Sequence, residues 1–293
     1  FSPNRIMMHD TTSTPAFIDI AGMRDTLAER NVDPNLLNPS IPIDSSVDHS
    51  IAVDFYAKKN SAPLNLNVEM ERNEERYRFM KWASHALENV RIHPPGTGIM
   101  HTINLEQLAS VAHVENEEDV LWIMPETLIG TDSHTPMING IGVLGWGVGG
   151  LEAETAMFGI PIMQRIPDIV GIKLTGRLKP GILAMDLALT ITKKLRDLKV
   201  TGDFVEFYGE GLSSLTAGDR AVVANMAPEY GATTCLFPVD MNTLDYLYVT
   251  GRSSDSIGLV EDYFKRAGLW FDPKASPKFT RLLEIDLDSI KMH

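Results

Sequence analysis

Apolar and polar residues alternate along the first half of the chain at spacings that predict helices and strands in turn. A helical spacing predicts a helix that begins at the N-cap Thr14, with Pro15 as its first residue, and that runs to about residue 30. A second helix is predicted over residues 68–90, with the charged residues of E-R-N-E-E-R (71–76) facing water. The segment V-L-W-I-M-P-E-T-L-I predicts a strand over residues 120–129 that leads directly into the loop T-D-S-H.

The second half of the chain repeats the alternation. Strands are predicted over residues 168–174 and 203–208, with a helix over 185–199 between them. A further helix is expected to begin at Thr216, because Asp219 completes a capping box, and another is expected to end at Gly268. This order predicts the α/β class: a flavodoxin-like parallel-sheet domain over residues 1–167 and a smaller α/β domain over 168–272, with 273–293 leading to a further domain.

Composition narrows the class of protein. Hydrophobic residues make up 44% and charged residues 22% of the 293 positions, as in an ordinary globular protein. The sequence has no apolar run of membrane-spanning length and no signal-peptide pattern, so no membrane partner is expected. It begins without Met and in the middle of a pattern, and we therefore expect a piece of a longer protein.

Charge and cysteine content add two expectations. The net charge of −13 argues against nucleic acid as the natural partner, since nucleic-acid binders carry a basic face. The basic cluster Lys193, Lys194, Arg196 and Lys199 is interpreted as the solvated face of a helix. The single cysteine, Cys235, excludes a disulfide framework and suits a reducing compartment, the cytoplasm.

The stretch G-T-D-S-H-T-P-M-I-N-G-I-G-V-L-G-W-G-V-G-G, residues 130–150, contains the spacing G-x-G-x-x-G at Gly140, Gly142 and Gly145. A dinucleotide site needs a strand directly before the first glycine and a helix directly after the third, and here a helix is plausible only from Leu151. Close backbone packing explains the glycines better. It does not explain Asp132, Ser133 and His134, which follow a predicted strand, where ligand-binding loops of open α/β sheets lie.

Three histidines have carboxylates close by in the sequence or lie in turns. His49 follows Asp48, His101 follows the turn P-P-G-T-G-I-M, and His134 closes T-D-S-H. A neighbouring carboxylate orients an imidazole ring and raises its basicity, which suits a general acid. The same residue types could also hold a metal ion, so a mononuclear metal hydrolase is an alternative. His85 and His93 are interpreted as structural, and Cys235 as a residue of a buried strand.

Four segments together resemble the aconitase family, and its long cytosolic and bacterial branch in particular. They are P-P-G-T-G-I-M-H, G-T-D-S-H-T-P-M-I-N-G-I-G-V-L-G-W-G-V-G-G-L-E-A-E, F-V-E-F-Y-G-E-G and A-N-M-A-P-E-Y-G-A-T. The resemblance implies a lyase of the tricarboxylic acid cycle that interconverts citrate and isocitrate through cis-aconitate. It also implies a 4Fe–4S cluster whose open iron acts as a Lewis acid on the substrate hydroxyl. The branch is generally monomeric.

The resemblance also assigns roles to residues. Asp48 and His49 are expected to protonate the departing hydroxyl, with His101 near the cluster-bound oxygen. Asp132 and His134 form a second expected pair. Ser133 is expected to contact a substrate carboxylate, and Asn225 to lie at the cluster and the substrate hydroxyl. Glu229 is expected to be the partner of an active-site histidine. The cluster cysteines, substrate arginines and serine base are expected beyond residue 293, so this chain by itself should hold no cluster and be inactive.

One position departs from the family pattern. The family usually has Gln-Asp where this chain has His9-Asp10, and that Gln contacts substrate. His9 is similar to the branch that acts on 2-methylcitrate, whereas W-G-V-G-G is similar to aconitase itself, so a 2-methylcitrate/2-methylisocitrate dehydratase is an alternative. A second alternative is an iron-responsive RNA-binding regulator, since some relatives bind mRNA when they lose the cluster.

Overall fold

The computed structural model describes residues 1–292. They divide into two compact units, and neither unit is a continuous segment of the chain. The first contains Phe1–Ile103, Ile129–Asp132 and Val148–Gln164. The second contains Asn104–Leu128, Ser133–Gly147 and the residues from Arg165 onward. The predicted family domains, 1–167 and 168–272, stay a prediction.

Helices and strands alternate through the described residues, as the predicted α/β class requires. The strands are β1 (Arg5–His9), β2 (Ile43–Ser46), β3 (Val90–His93), β4 (Ala112–Glu117), β5 (Val120–Pro125), β6 (Thr127–Gly130), β7 (Leu144–Gly147), β8 (Ile169–Thr175), β9 (Phe204–Tyr208), β10 (Thr234–Leu236) and β11 (Arg281–Asp286). The helices are α1 (Asp10–Glu29), α2 (Ser61–Arg72), α3 (Glu74–Ala86), α4 (Met100–Ile103), α5 (Gly150–Met157), α6 (Ala184–Leu198), α7 (Ala217–Asn225), α8 (Ala227–Tyr230), α9 (Met241–Val249) and α10 (Ser254–Arg266).

The first unit is organised by a sheet in which β3, β2, β1 and β6 lie side by side in that order. β1 pairs in parallel with β2, His9 opposite Ser46, and β2 pairs in parallel with β3. Strands of a parallel sheet are covered on both faces, and β1 accordingly has its first four residues buried. Phe17 and Ile20 of α1 are fully buried and contribute to the core of this unit.

The second unit contains a four-stranded sheet in the order β10-β9-β8-β11, in which every neighbouring pair is parallel. The core includes Val170 and Ile172 of β8 together with Leu187 and Ile191 of α6, all fully buried. β4 and β5 form a separate antiparallel hairpin. The parallel sheets confirm the α/β class. None of the helices within residues 1–292 combines the length and apolar content of a membrane span.

Most predicted elements of the second unit are confirmed. β8, α6 and β9 lie where the pattern predicts them. α7 begins after Thr216, whose side chain accepts from the Asp219 backbone N–H while the Asp219 carboxylate accepts from the Thr216 N–H. α10 ends just before Gly268, which has the positive φ of 70° that follows many helices.

The predicted helix over residues 68–90 is wrong. Two helices, α2 and α3, meet at Asn73, and Val90 begins strand β3. Met80 and Ala83 of α3 are buried, but Arg76 of the charged segment points inward and forms ion pairs with Asp10 and Glu69, although it was expected to face water. Local periodicity cannot distinguish one long helix from two consecutive helices followed by a strand that pairs with a distant β2.

Two other predicted boundaries also differ. α1 begins at Asp10 instead of after Thr14, because β1 runs directly into it and His9, in extended conformation, occupies the N-cap position. Pro15 is therefore an internal helix residue, and its nitrogen cannot donate the backbone hydrogen bond to the carbonyl of Thr11 that the helix would otherwise have. The strand over residues 120–129 is divided into β5 and β6 at Glu126, whose carboxylate accepts from the N–H groups of Ser110 and Val111.

The glycine-rich stretch packs tightly within the second unit. A Cβ atom on Gly140 would lie 2.5 Å from the backbone nitrogen of Ala221 in α7, and one on Gly142 would lie 2.3 Å from Cγ2 of Val239. Gly142 also has a φ of 89°, which L side chains rarely adopt. These glycines thus lie directly against neighbouring protein atoms, and their interpretation as packing residues is confirmed.

Candidate active site

The first unit places several of the predicted site residues at the ends of its strands. β1 ends at His9, β2 leads into Asp48 and His49, and β6 leads into Asp132. The ends of β1 and β6 are tied together, because the Thr131 N–H donates to the carbonyl of Met7 at 3.1 Å. Ends of neighbouring parallel strands form the usual ligand-binding edge of an open α/β sheet.

The carboxylate of Asp132 lies between two imidazole rings. Its Oδ1 is 2.9 Å from Nε2 of His101, and its Oδ2 is 3.5 Å from Nε2 of His49. The His101 side chain is 11% exposed and that of Asp132 16%, whereas that of His49 is 37% exposed. One carboxylate therefore orients two rings, of which His49 is the more accessible to a ligand.

Asp48 holds His49 from the other side of its ring. Oδ1 of Asp48 is 2.9 Å from Nδ1 of His49, and its Oδ2 accepts a hydrogen bond from the backbone N–H of Met100. Met100 begins the short helix α4, which also carries His101. The Asp48 carboxylate thus fixes the His49 ring and the helix of His101 together.

His9 completes this group. Its ring centroid is 5.0 Å from that of His49, and the hydroxyl of Thr11 is hydrogen-bonded to its Nδ1. Burial, and next the nearby His49, lower the pKa of His9 below its ordinary value, although Asp132, Asp10 and Asp48 act in the opposite direction. His9 is therefore a neutral ring at neutral pH, able to donate one hydrogen bond and accept another.

Three members of the group also meet the geometry of a metal site. His49, His101 and Asp132 each offer a ligand atom, and these atoms lie within 4.8 Å of one another. Two imidazoles and one carboxylate are a known ligand set for divalent transition metals, and Asp48 would be the carboxylate that orients one of the histidines. The arrangement therefore suits either proton transfer or the metal alternative of the sequence analysis.

The second unit contains the other predicted site residues. Nε2 of His134 is 3.3 Å from Oε1 of Glu229, and both side chains are partly exposed. Oε2 of Glu229 and Oδ1 of Asn225 are buried atoms without a hydrogen-bond partner among the described residues. Ser133 is exposed. These groups provide an imidazole–carboxylate pair and two acceptors for donors on a ligand; the expected pairing of Asp132 with His134 stays a prediction.

Sequence analysis missed the partner of Arg196 and the partner of His93, a histidine that it had interpreted as structural. Nε of Arg196 donates to the backbone carbonyl of Glu229 at 2.6 Å, so this member of the basic cluster has a structural partner. Nε2 of His93 is 2.9 Å from Oδ1 of the fully buried Asp44. Burial raises the pKa of Asp44, but the hydrogen bond from His93 and the charges of Arg5 and Arg91 bring that pKa below its ordinary value. No local pattern marks either contact, because the partners are far apart in sequence.

Comparisons with known proteins identify the family of this chain. The family model described as "Aconitase family (aconitate hydratase)" matches residues 1–293. Proteins named "Aconitate hydratase A" are similar over 99% of this chain: 49% identical over 291 residues in Pseudomonas aeruginosa, 50% over 291 in Escherichia coli and 49% over 292 in Bacillus subtilis. The match covers 32%, 33% and 32% of those relatives, so the chain spans about a third of their length. The chain belongs to the aconitase family.

Proposed function

We propose that this chain supplies acid–base and substrate-contacting side chains of an aconitate hydratase, which interconverts citrate and isocitrate through cis-aconitate. Family membership and the printed names of the relatives support the reaction class. The observation that carries the proposal is the Asp132 carboxylate between the rings of His101 and His49, with Asp48 on the far side of His49. Two carboxylates contact the two ring nitrogens of one accessible imidazole and so fix the orientation that a proton donor requires.

Dehydration of citrate breaks one C–H bond and one C–O bond. The electron pair of the C–O bond leaves with the oxygen, and a proton must reach that oxygen for water to form. We assign this proton to Nε2 of His49, since Nδ1 is held by Asp48 at 2.9 Å, whereas Nε2 makes only the longer contact of 3.5 Å with Asp132. His101, oriented by Asp132, contacts the same oxygen. Hydration reverses these steps, and the base that takes the proton from carbon is expected outside residues 1–293.

Substrate binding is assigned to five residues. His9, neutral at pH 7, and Asp132 contact the substrate from the first unit. The substrate contacts of the second unit are Ser133, His134 and Asn225. The partnerless Oδ1 of Asn225 is an acceptor suited to a substrate hydroxyl, and Glu229 orients His134. Each contact is a hydrogen bond to a carboxylate or hydroxyl of a tricarboxylate, and none requires a basic surface.

Members of the aconitase family carry a 4Fe–4S cluster, and such clusters are held by cysteine thiolates. This chain has one cysteine, Cys235, which is fully buried in β10. Burial raises the pKa of its thiol to about 12, which disfavours the thiolate that an iron ion needs. The residues of this chain therefore do not fit as ligands of the cluster, and no step above depends on them in that role.

The remaining expectations concern partners and location. The comparisons favour neither the 2-methylcitrate alternative nor the RNA-binding alternative. We propose that the protein is a monomer that acts on a small tricarboxylate in the cytoplasm, where the reducing environment suits the unpaired Cys235.

The test is His49→Asn in the complete protein, followed by measurement of cis-aconitate formation from citrate. Asparagine retains a hydrogen-bonding group at this position but cannot carry the proton. The expected result is a fall in kcat of about 10²–10⁴-fold with a small change in KM. His85→Asn is the matched control, because His85 is exposed on α3 and bonds only within its own helix. A kcat within about twofold of the unmodified protein would overturn the proposal.

A metal analysis addresses the alternative site. If the three side chains act only on protons, the chain should retain no stoichiometric zinc after dialysis against a chelator, and His49→Asn should leave its metal content unchanged. One zinc per chain, lost in His49→Asn and in Asp132→Asn, would support the metal alternative instead.

A further inference from the structure

We propose that Arg76, Asp10 and Ser50 form a positioning group that holds the loop of His49 in place. The Ser50 hydroxyl donates to Oδ2 of Asp10 at 2.7 Å, and the guanidinium of Arg76 contacts the same Asp10 oxygen at 3.1 Å and the Ser50 oxygen at 3.1 Å. These three side chains thus contact one another in pairs. We refer to them as the Arg76 group.

The location of the Arg76 group gives it influence over the site. Asp10 directly follows His9 at the start of α1, and Ser50 directly follows His49. Their hydrogen bond connects the start of α1, directly after His9, to the loop that leaves β2 and carries His49. Loss of this hydrogen bond would let the His49 ring move relative to Asp48 and to His9.

A second set of contacts anchors the Arg76 group to the helices. Arg76 also forms an ion pair with Glu69 of α2 at 3.2 Å, and Tyr77 donates a hydrogen bond to the same Glu69 oxygen. Asp10 is fully buried and Glu69 is 1% exposed, so two buried carboxylates depend on one guanidinium. Buried charges are retained only when they are paired, and this pairing fixes α2 and α3 against the site loops.

The inference rests on the proposed function, since it assigns to these residues the placement of a proton donor. A catalytic group must be held within about 0.5 Å of its productive position, and its support comes from the residues behind it. None of the three residues is among those assigned to substrate or proton transfer. Their effect should therefore appear in kcat more than in KM.

The experiment compares Ser50→Ala with Ser50→Thr. Ser50→Ala removes the hydroxyl but leaves the Asp10–Arg76 ion pair, so the fold should persist. Ser50→Thr retains the hydroxyl and should restore the bond. The readouts are the ring nitrogen NMR signals of His49 in the 293-residue chain, and kcat and KM for citrate in the complete protein. Ser84→Ala is the control, because the bonds of its hydroxyl stay inside its own helix, to the carbonyl of Lys81 and the ring of His85.

Ser50→Ala should shift the His49 ring signals and lower kcat about tenfold with little change in KM, because misplacing a reacting group by a fraction of an ångström has effects of this size. Ser50→Thr should recover both quantities, and Ser84→Ala should change neither. Unchanged His49 signals and kcat in Ser50→Ala would overturn the positioning role. Failure of the proposed function would appear differently, as full activity in His49→Asn, and the ring signals of Ser50→Ala would still decide the positioning role.

Discussion

Gly140 packs against Ala221 so closely that a Cβ atom on Gly140 would lie 2.5 Å from the backbone nitrogen of Ala221. Backbone atoms of a packed helix cannot move aside cheaply. Gly140→Ala should therefore lower the free energy of unfolding by about 2–4 kcal/mol, measured by urea denaturation with circular dichroism.

Gly258→Ala is the matched control for Gly140→Ala. Gly258 lies inside α10 of the same unit, and an added Cβ atom would meet nothing within 4 Å. Alanine is the better helix former, so this change should raise the free energy of unfolding by up to about 1 kcal/mol. Equal effects of the two substitutions would contradict the packing role of Gly140.

Asp132→Asn tests the carboxylate shared by two rings. The amide has nearly the same shape but no negative charge, and one of its ends can only donate. It cannot accept hydrogen bonds from His101 and His49 together. We expect kcat in the complete protein to fall by about 10²-fold or more. Asp54→Asn, at an exposed ion pair with Arg72, should leave kcat unchanged; an equal loss in both variants would point to a general effect of charge removal.

His9 should make the first unit less stable in acid. Burial and His49 lower the pKa of His9 in the folded protein, so folding favours the neutral ring. The stabilisation is complete above the unfolded pKa of about 6.5 and is lost as the pH falls below it. The difference in unfolding free energy between about pH 7 and about pH 5 should be smaller in His9→Gln than in the unmodified chain. His85→Gln, at an exposed histidine, should leave that difference unchanged, and an unaltered pH dependence in His9→Gln would contradict the prediction.

Cys235 should resist thiol reagents in the folded protein. Its side chain is fully buried, and burial raises the pKa of the thiol to about 12. At about pH 8, labelling by a chromogenic disulfide should be limited by opening of the structure and should become fast in urea. Rapid labelling of the native chain would mean that β10 is accessible.

Because folding favours the protonated thiol of Cys235, the stability that this group contributes is present below the pKa of the free thiol and is lost as the pH rises towards 12.

The sequence predicts those parts of the structure whose causes are local. The capping box of Thr216 and Asp219 involves two residues of one turn, so the start of α7 was predictable to the residue. The inward position of Arg76 was not, because it depends on Asp10, far away along the chain. A charged side chain in an amphipathic pattern is assigned to solvent unless a distant buried partner is known.

The same contrast applies to the candidate site. Asp48 and His49 are adjacent in sequence, and their ion pair could be anticipated. The contact of His101 with Asp132 joins α4 to the end of β6, and only the fold places them together. Family resemblance identified both residues as functional, but it did not supply the arrangement of one carboxylate between two rings.

The chain passes from one compact unit to the other repeatedly, and one of these passages falls between Asp132 and Ser133. No single cut can therefore release either unit free of segments of the other. A protease that nicks one loop should leave both pieces associated under native conditions, and a gene divided at a single codon would always yield at least one half that carries segments of both units. Deletion mapping, which is the usual way to locate the functional parts of a long protein, is for this reason unsuited to this chain. Point substitutions are the suitable method.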